Sequence, residues 1–526
     1  MVNNRPYNTG ILVCRGQEIV ATYRDPSIAN YRNNPLIEAL PPILRKPEVI
    51  KRLAYFPDYQ DEDRHQPDHL RLHMIQNTLQ FFTPLGIHLA LEQTVSRLIR
   101  LGYQARNPIQ IGFWKNINQS VELMDSNGFV PRSQRSTARS LTILGVSGIG
   151  KSTAIEEILY TYPQVINHNQ YLDRNFSFRQ LVWLKLECPQ DGSIKGLCLN
   201  FFQAMDDILG TSYYKNYTTR LSTVDNLMPN VARVASIHAI GILVIDEIQN
   251  LSASKSGGAS RMLNFFVQLV NTIGLPVVLV GTYKAWNVLS GEFRQIRRGT
   301  GQGDFIWDPM QEDETWQTFV KTLWRYQYVK TSCPLTPELS HALYYECQGI
   351  TDFAVKLYML AQIRAITTGK EKITESIIKS VAKDCLRTAR QVLNALKETN
   401  EDRKRQMLIN CEDVYPIDIE PFLEEAKTKL DFQDEKLLEM ILVNQVNSVE
   451  IEPNLTTVTE PKEATRHVES KPTIKPSKHR QNTRAKNTLS EIIVQAEKQG
   501  ITAYVALKQN DYIRSASEYL MEEIAG

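Results

Sequence analysis

The sequence lacks any run of apolar residues long enough to span a bilayer, so it predicts no transmembrane helix. The start, Met1-Val-Asn-Asn-Arg5, carries no apolar segment behind a basic end, so no secretory signal is expected. The seven cysteines are scattered and form no C-x-x-C pair, which argues against a disulfide framework or a zinc ribbon. Charge of one sign is also missing. The net charge is +2, so any nucleic-acid surface must be local. No internal repeat is visible, which weighs against a sensor domain built of repeats. These absences predict a soluble, cytoplasmic protein from a reducing compartment. At 526 residues the chain exceeds one ordinary core, and about two to four domains are expected.

What is present is concentrated in a few segments. The strongest is Gly145-Val-Ser-Gly-Ile-Gly150-Lys151-Ser152, which fits G-x-x-x-x-G-K-[ST] at every fixed position. An apolar run, 141–144, precedes it, and the residues from Thr153 onward suit a helix. In that context glycines let the backbone wrap a phosphate, and amide groups at the helix start favour the anion. The expected nucleotide cradle is Gly145, Val146, Ser147, Gly148, Ile149, Gly150, Lys151, Ser152 and Thr153. Lys151 would reach the β- and γ-phosphates of ATP, and the Ser152 hydroxyl would ligate Mg²⁺.

A second motif, Gly241-Ile-Leu-Val-Ile-Asp246-Glu247, delivers two carboxylates at the end of an apolar strand. Asp246 would hold the Mg²⁺ shell and Glu247 would polarise the attacking water. The run Pro276-Val-Val-Leu-Val-Gly281-Thr282 ends in a hydroxyl. Thr282 reads either as a sensor of the γ-phosphate or as an ordinary strand-to-loop threonine. Beyond it lie Arg294, Arg297 and Arg298. One of them is a candidate cation for the transition-state charge, delivered in trans, and a solvated basic loop is the plain alternative.

Strand candidates 141–144, 181–186, 242–245 and 277–280 alternate with helical stretches, the pattern of a parallel α/β sheet. Residues 1 to about 60 read as a proline-rich arm with short elements, and 66–107 as helical, with Leu70, Leu72, Ile75 and Leu79 among its apolar positions. Residues 312–395 read all-helical, with start signals at Thr336-Pro337 and Thr374 and a stop at Gly349. The stretch 445–487 has the composition of a disordered linker with a basic end. Thr488-Leu-Ser-Glu491 then opens an apolar helical tail that docks on a partner or back on the chain.

His65, His69 and His73 fall at i, i+4 and i+8, a spacing that aligns imidazoles on one helix face. One helix does not easily close a zinc site and no cysteine is near, so a wet helix face is the preferred reading. For nucleic acid, the segment from Lys185 to Gly196 presents Lys195 at a possible helix start, and Tyr213, Tyr214, Lys215 and Arg220 form a weaker set. Backbone contacts need only lysines, arginines and amide donors.

At this point the sequence resembles a known family. The loop 145–153, the block 180–198, Ile245-Asp-Glu-Ile-Gln249 and Gly281-Thr-Tyr-Lys-Ala285 look like TnsC, the AAA+ ATPase regulators of Tns transposons, including CRISPR-associated ones. The resemblance covers about residues 30–365. It implies a P-loop AAA+ parallel α/β sheet with a helical lid, an N-terminal extension and a C-terminal tail. It implies ATP-dependent binding of duplex DNA without sequence preference and homo-oligomeric rings or filaments. It implies a bridge between a TniQ/TnsD-type selector and a TnsA/TnsB or TnsAB transposase, reset by ATP hydrolysis.

The expected division is an N-terminal extension facing the selector (1–110), an ATPase core (111–310), a lid (311–395), a charged helical segment (396–440), a linker (441–487) and a transposase-recruiting tail (488–526). One departure concerns the lid, where many AAA+ proteins carry an arginine for the γ-phosphate. Here Lys356 stands at the matching helix, and a lysine is not a planar fork. The runner-up is a STAND-type signalling ATPase that oligomerises without DNA. A third reading is a monomeric P-loop kinase, which the linker and the arginine loop disfavour.

Overall fold

The computed structural model describes residues 16–110, 113, 138–219, 222–254, 257–290, 301–411, 417 and 419–429. The chain divides into two compact units, Met1–Val449 and Glu450–Gly526, and every described residue lies in the first. The expected linker and tail lie outside the described residues, as do Arg220, Arg294, Arg297 and Arg298.

The centre is a five-stranded parallel sheet. It is built from β2 (Ser140–Gly145), β5 (Trp183–Glu187), β6 (Ile242–Asp246), β7 (Val277–Gly281) and β8 (Gly301–Trp307), in the order β5-β6-β7-β2-β8. β2, β6 and β7 are buried throughout, as expected for strands covered by helices on both faces. A second sheet joins β1 (Glu18–Val20), β3 (Val165–Tyr171) and β4 (Arg174–Leu181) in the order β1-β3-β4. β3 and β4 form an antiparallel hairpin, so the expected 181–186 strand divides at Val182 between two sheets.

The first helices are α1 (Pro35–Glu38), α2 (Lys46–Leu53), α3 (Asp68–Met74) and α4 (Gly86–Gln104). The expected 66–107 helix is therefore interrupted. A 3₁₀ turn, Ile75–Gln80, and an extended segment around Pro84 separate α3 from α4, and Phe82 pairs there with Tyr55. Leu72 and Ile75 are buried, but Leu70 and Leu79 are exposed, so the buried stripe is narrower than the apolar pattern. His65 precedes Pro67 in a separate 3₁₀ turn, so the three histidines do not share one helix, and all three are exposed.

In the sheet region, helices α5 (Lys151–Tyr160), α6 (Ile194–Leu209), α7 (Tyr213–Tyr217), α8 (Val224–Ile237), α9 (Gly258–Gln268) and α10 (Ala285–Ser290) follow. The helical lid comprises α11 (Glu314–Leu323), α12 (Pro337–Cys347), α13 (Thr351–Thr367) and α14 (Glu375–Cys385), continued by α15 (Arg390–Leu396) and α16 (Glu401–Asn410). Thr336 and Thr374 cap α12 and α14 through their hydroxyls, satisfying amides that have no intrahelical acceptor. Gly349, just past α12, has φ +72°, and a Cβ there would lie 2.0 Å from the Met310 carbonyl oxygen, so only glycine fits.

Several polar ties join the N-terminal extension to the rest, among them those of Arg106 and Arg71. Arg106 donates to the Ile240 carbonyl at 2.8 Å. Arg71, fully buried, meets the Glu371 carboxylate at 2.6 and 2.9 Å and the Tyr328 carbonyl at 2.8 Å, which ties α3 to the lid.

Candidate nucleotide site

The end of β2, the loop that follows and the start of α5 form one side of a cleft of about 400 Å³. Gly148 (φ +78°) and Gly150 (φ +93°) take backbone angles that L side chains rarely adopt, which lets the loop curl. Ser147, Gly148, Ile149, Gly150, Lys151, Ser152 and Thr153 line the cleft. Gly145 and Val146 sit behind it and offer their carbonyls to the Lys151 ammonium at 3.0 and 2.8 Å.

Asp246 and Glu247 enter from the end of β6, and Thr282 from the end of β7. β6 and β7 are neighbours in the sheet, so their ends stand side by side. Glu247 holds φ +55°, an unusual angle for a side chain with a Cβ. Gln249 joins these residues. Its amide nitrogen donates to the Glu247 carboxylate, and its oxygen accepts the Thr282 backbone N–H at 3.0 Å.

The Asp246 carboxylate is held at both oxygens. One accepts the Glu247 N–H at 2.9 Å, and the other meets the Lys185 ammonium at 3.0 Å. Lys185 also meets Glu156 of α5 at 2.8 Å. Burial pulls the Lys185 ammonium down, but the Asp246 and Glu156 carboxylates outweigh it, and its pKa is raised overall. Lys185, a charge within the expected strand 181–186, is buried in the core.

The lid closes the cleft with Thr351, Asp352, Phe353, Val355 and Lys356. It docks on the loop itself, since the Asp352 N–H donates to the Gly148 carbonyl at 3.1 Å. Lys356 pairs with Asp352 at 3.0 Å. Burial raises the Asp352 carboxyl, and Lys356 opposes that rise.

The remaining wall was not anticipated. Leu79, Phe81, Phe82 and His88 of the N-terminal extension line the cleft with Phe319 of α11. Burial pushes the His88 imidazole down to about 4, so it is neutral, and its Nδ1 accepts the Leu85 N–H at 2.7 Å. No motif marks these residues. The one signal was His88 on the apolar face of an amphipathic helix.

Ser152 and Asp246 offer a hydroxyl and a carboxylate, hard oxygen donors of the kind Mg²⁺ takes, so the residues present fit that ion. Among the described residues there is no cluster of three or more His, Cys, Asp or Glu fit to hold a metal. No helix among them is long and apolar enough to cross a membrane.

The DNA-binding candidates lie apart from this lining. Lys195 sits in the first turn of α6, half-buried, behind a Ser193 cap that accepts the Gly196 N–H at 3.2 Å. Lys215 is exposed on α7. Tyr213 points its hydroxyl at His238 Nε2 (2.8 Å) and stacks on Tyr217, while Tyr214 is exposed.

Residues 134–289 match a family model described as an AAA domain. With the five-stranded parallel sheet and its flanking helices, this part of the chain has the P-loop AAA+ α/β fold, followed by a helical region. No curated protein matches the chain. Among solved structures the chain is similar to the Aeropyrum pernix ORC1 protein in complex with DNA, at 13% identity and TM-score 0.33, covering 64% of this chain and 87% of that one. It is similar to a Walker-type ATPase of Pyrococcus abyssi at 15% identity and TM-score 0.27, covering 60% and 87%. It is also similar to Drosophila ORC bound to DNA at 11% identity and TM-score 0.33, covering 67% and 80%.

Proposed function

We propose that this chain is an ATP-hydrolysing AAA+ regulator that assembles on duplex DNA and connects a target-site selector to a transposase. The observation that carries the ATPase part is the cleft. Residues from four separate stretches, Lys151 and Ser152, Asp246 and Glu247, Thr282, and Lys356, line one cavity beneath the lid. Lys151 would bind phosphate, Ser152 and Asp246 would hold Mg²⁺, Glu247 would orient water, and Thr282 and Lys356 would sense the γ-phosphate. Bound Mg²⁺ supplies positive charge to the phosphate oxygens. The loop's amides and the start of α5 would receive the anion.

The transposition part rests on the resemblance to TnsC in the block 180–198 and in the strand ends at 245–249 and 281–285. In the fold these segments are β5, the start of α6 and the two strand ends that enter the cleft. Loop 188–193 leads from β5 to Lys195, and Asn250, three residues after Glu247, donates to the Cys188 carbonyl at 2.9 Å. That contact supports a link between a DNA-facing loop and the hydrolytic carboxylate. The test is ATP turnover with and without duplex DNA of random sequence. Turnover stimulated by DNA supports the reading, whereas turnover indifferent to DNA favours a signalling switch.

A further inference from the structure

A lysine in the middle of a buried strand requires an explanation. β5 runs Trp183-Leu-Lys-Leu-Glu187, and Lys185 lies between Leu184 and Leu186 with its side chain 6% exposed. Packing alone does not ask for a charge there. A buried ion pair is often no more stable than apolar residues of the same volume. What the lysine provides and a leucine does not is a fixed ammonium between two carboxylates on different elements.

We infer that Lys185 is a positioning residue for Asp246: clamped between Glu156 of α5 and Asp246 of β6, it sets where the Asp246 carboxylate stands relative to the loop and Ser152. The inference rests on the proposed role of Asp246 in holding Mg²⁺. Strand alternation brings the group together. β5 and β6 are parallel neighbours, with Lys185 beside Val244 and Glu187 beside Asp246, so Lys185 and Asp246 stand on one face of the sheet. Glu156 reaches that face from α5, the helix that begins at Lys151. The ammonium thus ties the carboxylate to the helix that carries the phosphate-binding lysine. With Lys185 removed, the Asp246 carboxylate keeps the hydrogen bond from the next residue's backbone N–H, which moves with it.

The test uses the full chain and a fluorescent ATP analogue titrated with Mg²⁺, read as bound analogue and, separately, as ATP turnover. In Lys185→Met the Mg²⁺ concentration for half-maximal binding rises about tenfold or more, as expected when a group that orients a metal ligand is lost. Binding without Mg²⁺ stays at the wild-type level, because the phosphate loop is untouched. Glu156→Gln keeps an oxygen that accepts from the Lys185 ammonium, so the clamp survives and the Mg²⁺ requirement stays near wild type. If Lys185→Met fails to fold because two carboxylates face each other, Glu156→Gln/Lys185→Met removes that repulsion and shows the same raised requirement.

An unchanged or lowered Mg²⁺ requirement in the folded lysine variants overturns the inference. So does an equal rise in Glu156→Gln alone, and so does failure of both lysine variants to fold, since Lys185 would then be a structural requirement. A wild-type chain whose nucleotide binding ignores Mg²⁺ would instead overturn the ATPase reading itself.

Discussion

The two sides of the cleft are built on different principles. One side consists of the loop 147–153 and the strand ends at Asp246, Glu247 and Thr282. It is polar, and several of its groups are held by partners, such as Gln249 on Glu247 and Lys185 on Asp246. The other side carries Leu79, Phe81, Phe82, His88, Phe319, Phe353 and Val355, with Asp352 and Lys356 on the lid. It is mostly apolar and comes from the N-terminal extension and the lid, which Arg71 and Glu371 tie to each other. The polar side is suited to phosphates and the apolar side to a flat ring. A nucleotide between them would report on the lid and the extension together. The extension therefore has a structural part in the cleft, besides the selector contact the resemblance assigns to it.

The largest expected effect is on the polar side. Lys151→Ala removes the cation that the loop holds for phosphate, and ATP binding is expected to vanish in a calorimetric titration. Retained binding would move the burden of affinity to the apolar side. Next comes Glu247→Gln, which keeps the shape but not the charge. ATP binding should survive while turnover falls by about 10²-fold or more, as for loss of a group that activates water. Wild-type turnover in this variant would remove Glu247 from the mechanism and leave Gln249 without a hydrolytic group to orient.

The apolar side yields a smaller, pH-dependent effect. His88 sits at about 4 in the folded chain against 6.5 when free. Below pH 6.5 the unfolded chain takes a proton that the folded chain refuses, so stability falls as pH drops from 6.5 towards about 4 and levels off beneath it. The slope from this residue is at most about 1.4 kcal/mol per pH unit. Denaturant melts of His88→Gln should lack that component, and an unaltered slope would show that burial does not set the His88 protonation state. The smallest effect belongs to Lys356→Met. Its pair with Asp352 is partly exposed, and ATP affinity is expected to fall by less than about tenfold. A loss as large as that of Lys151→Ala would make Lys356 an equal phosphate ligand.

The same contrast explains what was legible in the sequence. The polar side is written in short spans, because phosphate wrapping and paired carboxylates need fixed residues at fixed spacing. The loop, Asp246-Glu247 and Thr282 were therefore readable, as were the strands that carry them. The apolar side draws on residues nearly three hundred positions apart, such as Phe81 and Phe353, and no local pattern joins them. The β3–β4 hairpin was hidden for another reason. Its two-residue turn is Leu172-Asp173, both at positive φ (+47° and +59°), where Asn-Gly or Asp-Gly would have been the signal. β8 was hidden by its glycines, which weaken any strand pattern. Lys185 was visible as a charge within an apolar strand, but its partners Glu156 and Asp246 come from other elements.

The most direct test of the central claim is electron microscopy of the full chain with a slowly hydrolysed ATP analogue, with and without duplex DNA. Rings or filaments are expected only when both are present. Monomers under all conditions, or oligomers that form equally well without DNA, would contradict it.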